Sequence, residues 1–268
     1  FVTEQTGFEL GFVEQLYTFG DEGRDAPLAD LGGAAVPGGG RIVSVGYLAL
    51  APGAVKAARP GTEWSPWTRF FPWEDWRRGR PAVIDEHLAP ALRQWAGKGE
   101  AGEARWSRAR LLFGVDGARW NEERVLDRYE LLYEAGLVPE AARDRGEAAP
   151  SRTDALVAAV GEAMISDHRR ILATALGRLR GKLKYRPVVF ELMPDAFTLS
   201  ALQRTVEAIA GVPLHKQNFR RALERAELVE GLGRLDAETG GRPAELFRFR
   251  REVLQERPAP GLRVGARA

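Results

Sequence analysis

The chain has 268 residues, of which 44% are hydrophobic and 28% are charged, a composition typical of a globular protein rather than a disordered one. It contains no cysteine, which excludes disulfide bonds, thiolate metal sites and cysteine nucleophiles, and which fits a cytoplasmic protein. No apolar run approaches the roughly 20 residues that a membrane span needs, so we expect no membrane partner.

The net charge of +2 hides an uneven distribution along the chain. Residues 1–150 carry 18 Lys and Arg against 23 Asp and Glu, a net charge of −5, whereas residues 151–268 carry 21 against 14, a net charge of +7. A basic C-terminal half suggests a polyanionic partner, and an acidic N-terminal half suggests a separate unit. A second interpretation stays open, because codon bias in a GC-rich genome also produces many arginines, here 34 against 5 lysines.

Two strands are predicted near the N-terminus, over residues 12–19 and 41–50, where aromatic and β-branched residues are frequent. They follow a helix end closed by Gly7 and enclose a glycine-rich loop over residues 20–40, a length typical of functional or disordered loops. Four tryptophans come next, Trp64, Trp67, Trp73 and Trp76. They favour a packing cluster, with a stacking surface for an adenine-like ring as the alternative.

Helical periodicity dominates from residue 84 to Gly136, and Asn121 is predicted to cap the last helix of this stretch. Residues 143–151 form a candidate linker. The elements predicted after it are a helix over 154–164, a helix from Asp167 to about Leu183 with a basic end, a short strand over 188–192, a helix from Thr198 to Gly211, a helix from His215, and a hairpin of 229–235 with 244–250. Asp167 and His168 are predicted to form a buried capping pair rather than a catalytic one.

The order helix, strand, helix, helix and hairpin is that of a winged helix-turn-helix. The second of the paired helices enters the major groove in such a module, and a buried set of Phe219, Ala222, Leu223 and Ala226 turns its basic face outward. The predicted DNA-binding residues are Lys216, Gln217, Asn218, Arg220, Arg221 and Arg225 on this helix, together with Arg242 at the wing tip. Gln217 and Arg220 are predicted to read bases, and Arg221 and Arg225 to contact phosphates. A merely solvated helix face is the alternative.

Two stretches resemble the Nudix-related transcriptional regulators, the NrtR-like repressors of NAD metabolism. FVEQLYTFGD at residues 12–21, with the strand at 41–50, resembles the strand pair that follows their Nudix box. Residues 167–250 resemble their winged-helix domain through DHRRILATALGRLRGKLKYRPVVFELMPDAFTL, LHKQNFRRALERAELVE and GGRPAELFRFR. The resemblance implies an α+β fold, with a partial Nudix-like mixed sheet and added helices followed by a winged helix-turn-helix domain.

The Nudix box itself is incomplete. Only its end, E-E-x-G-U, falls on Glu4, Gln5, Gly7 and Phe8, with Gln5 in place of the second glutamate, so we expect the chain to begin inside the box. The Nudix reaction needs several carboxylates to hold Mg2+ against a pyrophosphate. Glu4 is then only a residual catalytic position, and we expect no bound Mg2+ and no hydrolase activity.

The resemblance implies the following organisation. Residues 1–150 are a truncated Nudix-like effector-sensing domain with a helical insertion, residues 151–255 are a linker helix and the winged-helix domain, and residues 256–268 are a disordered tail. The expected partners are an operator in double-stranded DNA, a nucleotide effector such as ADP-ribose, and a second copy of the chain in a homodimer. Arg24 and Arg41 are the candidate effector-binding residues, because a guanidinium binds phosphate in a bidentate manner.

Three classes of function therefore stay open. The first is a transcriptional regulator with a degenerate sensor domain. The second is an active nucleotide-diphosphate (ADP-ribose) hydrolase fused to a winged-helix domain, which the incomplete box disfavours. The third is an RNA-binding or scaffolding protein, which lacks support because the basic half shows no exposed aromatic stacking motif.

Overall fold

The structure is a computed structural model that describes residues 12–19, 43–51, 63–147, 153–236 and 243–262. Two antiparallel strands open it, β1 (Phe12–Phe19) and β2 (Ser44–Leu50), which pair Phe12 with Leu50 and Phe19 with Ser44 around an irregularity near Leu16. Both predicted strands are confirmed. Among the described residues these two strands form a sheet of their own, and Arg41 lies outside those residues.

A group of helices follows the sheet. Short 3-10 turns at Trp67–Arg69 and Pro72–Glu74 lead to a π-helical turn at Ile84–Leu88. The helices are α1 (Ala89–Ala96), α2 (Gly99–Phe113), α3 (Val125–Glu134), α4 (Pro139–Asp144) and α5 (Asp154–Ala159). The predicted helical character of this region is confirmed, and so is the end of α3 at Gly136, which has a φ of +67°.

The C-terminal part begins with the long helix α6 (His168–Leu183). It continues through β3 (Phe197–Thr198), α7 (Leu199–Ala210), α8 (Lys216–Ala226), β4 (Val229–Asp236), β5 (Ala244–Phe249) and the short α9 (Val253–Glu256). The sheet order is β3-β5-β4, and both pairings are antiparallel. A helix pair backed by a three-stranded sheet is a winged helix, so the α+β class is confirmed.

The helix pair α7–α8 matches its predicted boundaries. The hydroxyl of Thr198 accepts a hydrogen bond from the amide of Ala201 at 3.1 Å, which caps α7 at its start. Gly211 ends α7 with a φ of +71°, a conformation that glycine adopts without strain. The turn of residues 211–215 then leads directly into α8, as predicted.

Several local predictions are wrong. Val188–Leu192 forms a 3-10 helix and not a strand, since an apolar run this short has no periodicity that separates the two. Asn121 does not cap α3; its side chain instead accepts from the amide of Glu123, two residues on, which is a local turn. Asp167 stands at the N-cap of α6 without a side-chain capping bond, and His168 is exposed, so they form no buried capping pair.

The C-terminal tail also departs from its prediction. Residues 257–262 continue from α9 and cross the end of α6, where the amide of Leu262 donates to the carbonyl oxygen of Leu183 at 2.8 Å. The Leu262 side chain is buried in the C-terminal core. The prediction of a disordered tail is therefore wrong for residues 257–262, because burial of Leu262 orders them. Residues 263–268 lie outside the described residues.

Two hydrophobic cores meet along α6. Leu179 and Leu183 belong to the core of the winged helix, with Leu202, Val206 and Phe219. Ala173 and Leu176, from the first half of the same helix, belong to the core of the preceding helices. Helix α6 is therefore the wall that both cores share, and it holds the winged helix against the rest of the chain.

Candidate nucleic-acid interface

Helix α8 has one buried face and one exposed face. Phe219 and Leu223, one turn apart, are each 1% exposed in the core, and Ala222 and Ala226 pack beside them. The four residues lie at helical spacing, so burying them fixes the rotation of the helix about its axis. The rotation predicted from the sequence is confirmed.

The opposite face of α8 presents all of the predicted DNA-binding side chains of this helix to solvent. They are Lys216, Gln217, Asn218, Arg220, Arg221 and Arg225. None of the four cations among them forms an ion pair with any described residue. A surface of several cations without ion-pair partners, with two amide side chains among them, has the chemistry that contacts phosphates and base edges. Their contacts with DNA stay a prediction.

Two arginines of the hairpin region form ion pairs within the protein. Arg248 on β5 pairs with Glu230 across the strands at 2.5 Å, and Arg250 donates to Glu256 at 3.0 Å. Arg242, the predicted wing residue, lies outside the described residues. Arg234, which the sequence analysis did not single out, is exposed near the end of β4 without an ion pair among the described residues. Its position near the end of β4, next to the wing loop, is the sequence signal that could have marked Arg234 as a candidate DNA contact.

The basic end of α6 is in a different situation. Arg178 and Lys182 both pair with Glu14 on β1, the former at 3.1 Å. Lys184 pairs with Glu122 and Glu123 in the loop before α3. The acidic first half of the chain therefore neutralises part of the basic second half, so the charge asymmetry overstates the charge available to a partner.

Arg180, on the same helix end, is fully buried with Glu74 and Arg128. Arg128 binds both carboxylate oxygens of Glu74, with its Nε at 2.5 Å and its Nη2 at 2.9 Å, and the Nη1 of Arg180 adds a bond at 2.5 Å. Burial opposes ionisation of Glu74, but the two guanidinium charges and their hydrogen bonds outweigh it and lower the pKa of the carboxyl below its usual value. The Glu74 carboxyl is therefore ionised at neutral pH, and we call the cluster of Glu74, Arg128 and Arg180 the Glu74 triad.

The predicted effector residues Arg24 and Arg41, and the residual box position Glu4, all lie outside the described residues. Within the described ranges no three His, Asp or Glu side chains gather as metal ligands would. No helix in those ranges combines the length and the apolar composition needed to cross a membrane.

The tryptophans follow the packing interpretation in part. Trp73 is completely buried, and Trp67 and Trp76 pack against the cores, whereas Trp64 is 62% exposed. The ring of Trp76 lies 4.5 Å from that of Trp120, and the guanidinium of Arg128 lies 3.7 Å above Trp120. These rings therefore stack on protein groups.

Comparison with known families identifies the C-terminal module. The model of the NrtR DNA-binding winged helix domain matches residues 189–249, which run from the turn before β3 to the end of β5. These residues are therefore similar to the NrtR DNA-binding winged helix domain. The resemblance to NrtR-like regulators that the sequence indicated is confirmed by this match.

One relative is a transcriptional repressor by name. The ADPR responsive transcriptional repressor NtrR of Acinetobacter baylyi is 40% identical over 83 residues, which are 31% of this chain and 33% of that protein. The alignment thus spans about a third of the relative's length. Two crystal structures of Shewanella oneidensis NrtR, one in complex with a 27mer DNA, align with 98% of this chain and 74% of theirs at 20% identity, with TM-scores of 0.46 and 0.45.

Proposed function

We propose that this protein is a DNA-binding transcriptional regulator that recognises its operator with the exposed face of α8. The observation that carries the proposal is the combination of an NrtR winged helix domain with a second paired helix whose cations have no acidic partner among the described residues. The basic end of α6, by contrast, is paired with carboxylates from other parts of the chain.

Recognition separates into two roles along α8. Gln217 and Arg220 lie in its first half, from which helices of this kind reach base edges, and their side chains make bidentate bonds with adenine and guanine. Arg221 and Arg225 lie further along and supply charge to phosphates. Arg242 would extend the contact into the minor groove.

The test is equilibrium binding of fluorescent duplexes. The full-length chain first selects a duplex from a random-sequence library, and this duplex is compared with an unselected one across a salt series. Arg220→Ala is expected to lose selectivity for the selected duplex. Arg105→Ala is the matched control, because Arg105 is an exposed arginine on α2, outside the winged helix, without an ion pair among the described residues. Equal binding by wild type and Arg220→Ala would refute the base-reading role.

The N-terminal part, in this proposal, senses a nucleotide such as ADP-ribose. Support comes from the β1–β2 pair, whose resemblance to the strands after a Nudix box the sequence indicated, and from the relative that is named for its response to ADPR. Arg24 and Arg41 are the proposed phosphate contacts. Calorimetry with ADP-ribose, NAD and AMP on wild type and Arg41→Ala tests the assignment, and unchanged binding after the substitution removes Arg41 from the site.

The proposal includes a homodimer on DNA and no hydrolase activity. Dimers suit operators with two half-sites, and sedimentation of the chain with and without the selected duplex measures the stoichiometry. Incubation with ADP-ribose and Mg2+ tests catalysis: the incomplete box predicts no product, and product that disappears in Glu4→Gln would establish a hydrolase instead.

A further inference from the structure

The last turn of α7 is held by two side chains and one backbone amide from outside the matched winged helix domain. The final carbonyl groups of a helix have no partner within the helix. Here the indole nitrogen of Trp67 donates to the carbonyl oxygen of Ala208 at 3.1 Å, and Nε of Arg180 donates to that of Ile209 at 2.9 Å. The amide of Trp76 donates to the carbonyl oxygen of Gly211 at 2.6 Å. Three successive anchors therefore fix the point where α7 ends.

Arg180 is the anchor that joins this helix end to a charged group. Its Nε binds Ile209, while its Nη1 binds the carboxylate of Glu74 and the carbonyl oxygen of Glu122. Arg128 binds the carboxylate of Glu74 with a bidentate pair of hydrogen bonds. A guanidinium at a helix C-terminus also meets the negative end of the helix dipole. Glu74 thus fixes the position of Arg180, and Arg180 fixes the end of α7.

A rigid turn carries this position to α8. The carboxylate of Glu207 accepts from the amide of Leu214 at 2.8 Å, and the side-chain amide of Gln203 donates to the carbonyl oxygen of Leu214 at 3.0 Å. Leu214 directly precedes His215, the N-cap of α8. Because Glu207 lies in the last turn of α7 and Gln203 lies one turn before it, loosening the end of α7 also loosens the start of α8.

We infer that Arg180, held by Glu74, is a positioning residue for DNA recognition, although it touches no DNA itself. It keeps the last turn of α7 and the first turn of α8 ordered before the duplex arrives. Ordering these residues only on binding would subtract from the affinity, which is why preorganised sites bind more tightly. The inference rests on the proposed function of α8.

Two substitutions loosen the anchor in independent ways. Arg180→Met removes the guanidinium with a side chain of similar length and leaves Glu74 paired with Arg128. Gly211→Ala changes no charge, but a Cβ there would lie 2.5 Å from both Nη2 of Arg180 and the carbonyl oxygen of Glu74, at a φ that alanine disfavours. Either substitution separates the end of α7 from its support.

The chain offers a matched control for each. Arg169 is a second buried arginine on α6, paired with Glu140 and bonded to the carbonyl oxygens of Phe70 and Val160, none of which belongs to the winged helix. Gly136 ends α3 with a φ of +67°, close to that of Gly211. Arg169→Met therefore removes a buried guanidinium from the same helix, and Gly136→Ala places alanine at a similar φ, where the closest contact of its Cβ is Nη2 of Arg145, at 3.0 Å. Neither substitution touches α7.

The experiment measures binding of the duplex selected by wild type, with each variant first shown to be folded by circular dichroism. We expect Arg180→Met and Gly211→Ala to bind at least about tenfold more weakly, and both controls to stay within about twofold of wild type. Hydrogen exchange supplies a positional measurement: exchange should accelerate over residues 205–219 in the two test variants and not in the controls. If Arg180→Met does not fold, Gly211→Ala decides.

Two results overturn the inference in distinguishable ways. If wild type selects and binds a duplex but both test variants bind it as wild type does, Arg180 has no positioning role and the proposed function stands. If wild type binds no duplex at all, the proposed function fails and this inference fails with it. Equal weakening in the test and control variants assigns Arg180 a general structural role and also overturns the inference.

Discussion

Helices α6 and α8 carry similar runs of basic residues and differ in what faces them. The cations near the end of α6 form ion pairs with Glu14, Glu74, Glu122 and Glu123, whereas those of α8 form no ion pair with any described residue. The basic residues of α6 therefore hold parts of the chain together, whereas those of α8 remain available to a partner. Sequence composition alone cannot separate the two, because the difference lies in which acidic residues the fold places opposite each helix.

Among these predictions, the substitution Glu74→Gln, which removes the carboxylate that pairs with Arg180 of α6, should cause the largest loss of stability. Glu74→Gln leaves two buried guanidiniums without their carboxylate, so we expect a loss of about 3–5 kcal/mol of unfolding free energy. Chemical denaturation measures it. Glu130→Gln is the control, because Glu130 pairs with Arg170 in a partly exposed position and its removal should cost much less. Equal losses of unfolding free energy in the two variants would show that burial does not make the Glu74 triad more important for stability than a partly exposed ion pair.

Lowering the pH should protonate Glu74 and remove the same contribution to stability. The pKa of Glu74 is lowered in the folded chain, so its contribution to stability is complete above the unfolded value of about 4.3 and is lost as the pH falls through the lower folded value. The gap in unfolding free energy between wild type and Glu74→Gln should therefore narrow as the pH falls below about 4.3. A gap that is constant down to the acid transition would contradict ionisation of this carboxyl.

On the α8 side, Arg220→Ala should give the largest change in recognition. We expect a loss of about 1–3 kcal/mol in binding to the selected duplex and relaxed preference at one base position. Binding to variants of that duplex, each with one base pair changed, measures both quantities. An unaltered base preference would move Arg220 from the base-reading group to the phosphate group.

Arg225→Ala should have a smaller and less selective effect. Loss of one phosphate contact weakens binding to selected and unselected duplexes alike and reduces the slope of log K against log salt by about 1. Titrations at several salt concentrations give the slope directly. A slope that matches wild type would place Arg225 outside the interface.

Arg248→Ala should have the smallest effect. Arg248 is exposed and already paired with Glu230 across β4 and β5, and such surface pairs contribute about 0–1 kcal/mol to stability. We expect near-wild-type unfolding and near-wild-type DNA binding. A marked loss of DNA affinity would show that the hairpin face contributes more to recognition than its ion pairing indicates.

The sequence predicted what local patterns encode. The rotation of α8 follows from the spacing of Phe219 and Leu223, and the boundaries of α7 follow from Thr198 and Gly211. It failed where tertiary contacts decide. Strand β3 has two residues and exists only because β5 pairs with it. The buried state of Arg180 was equally hidden, since its partner Glu74 lies 106 residues away.

The core shared along α6 limits how far the winged helix can act as a portable module. Residues 189–249, the matched domain, exclude Leu179, Leu183, Val253 and Leu262, all of which fill its core. Within the matched segment the rings of Phe190 and Phe249 still stack at 4.3 Å. Helix α6, which packs against α7 in this core, would be missing. Transferring this domain to another protein would therefore require transferring α6 and the segment through Leu262 with it.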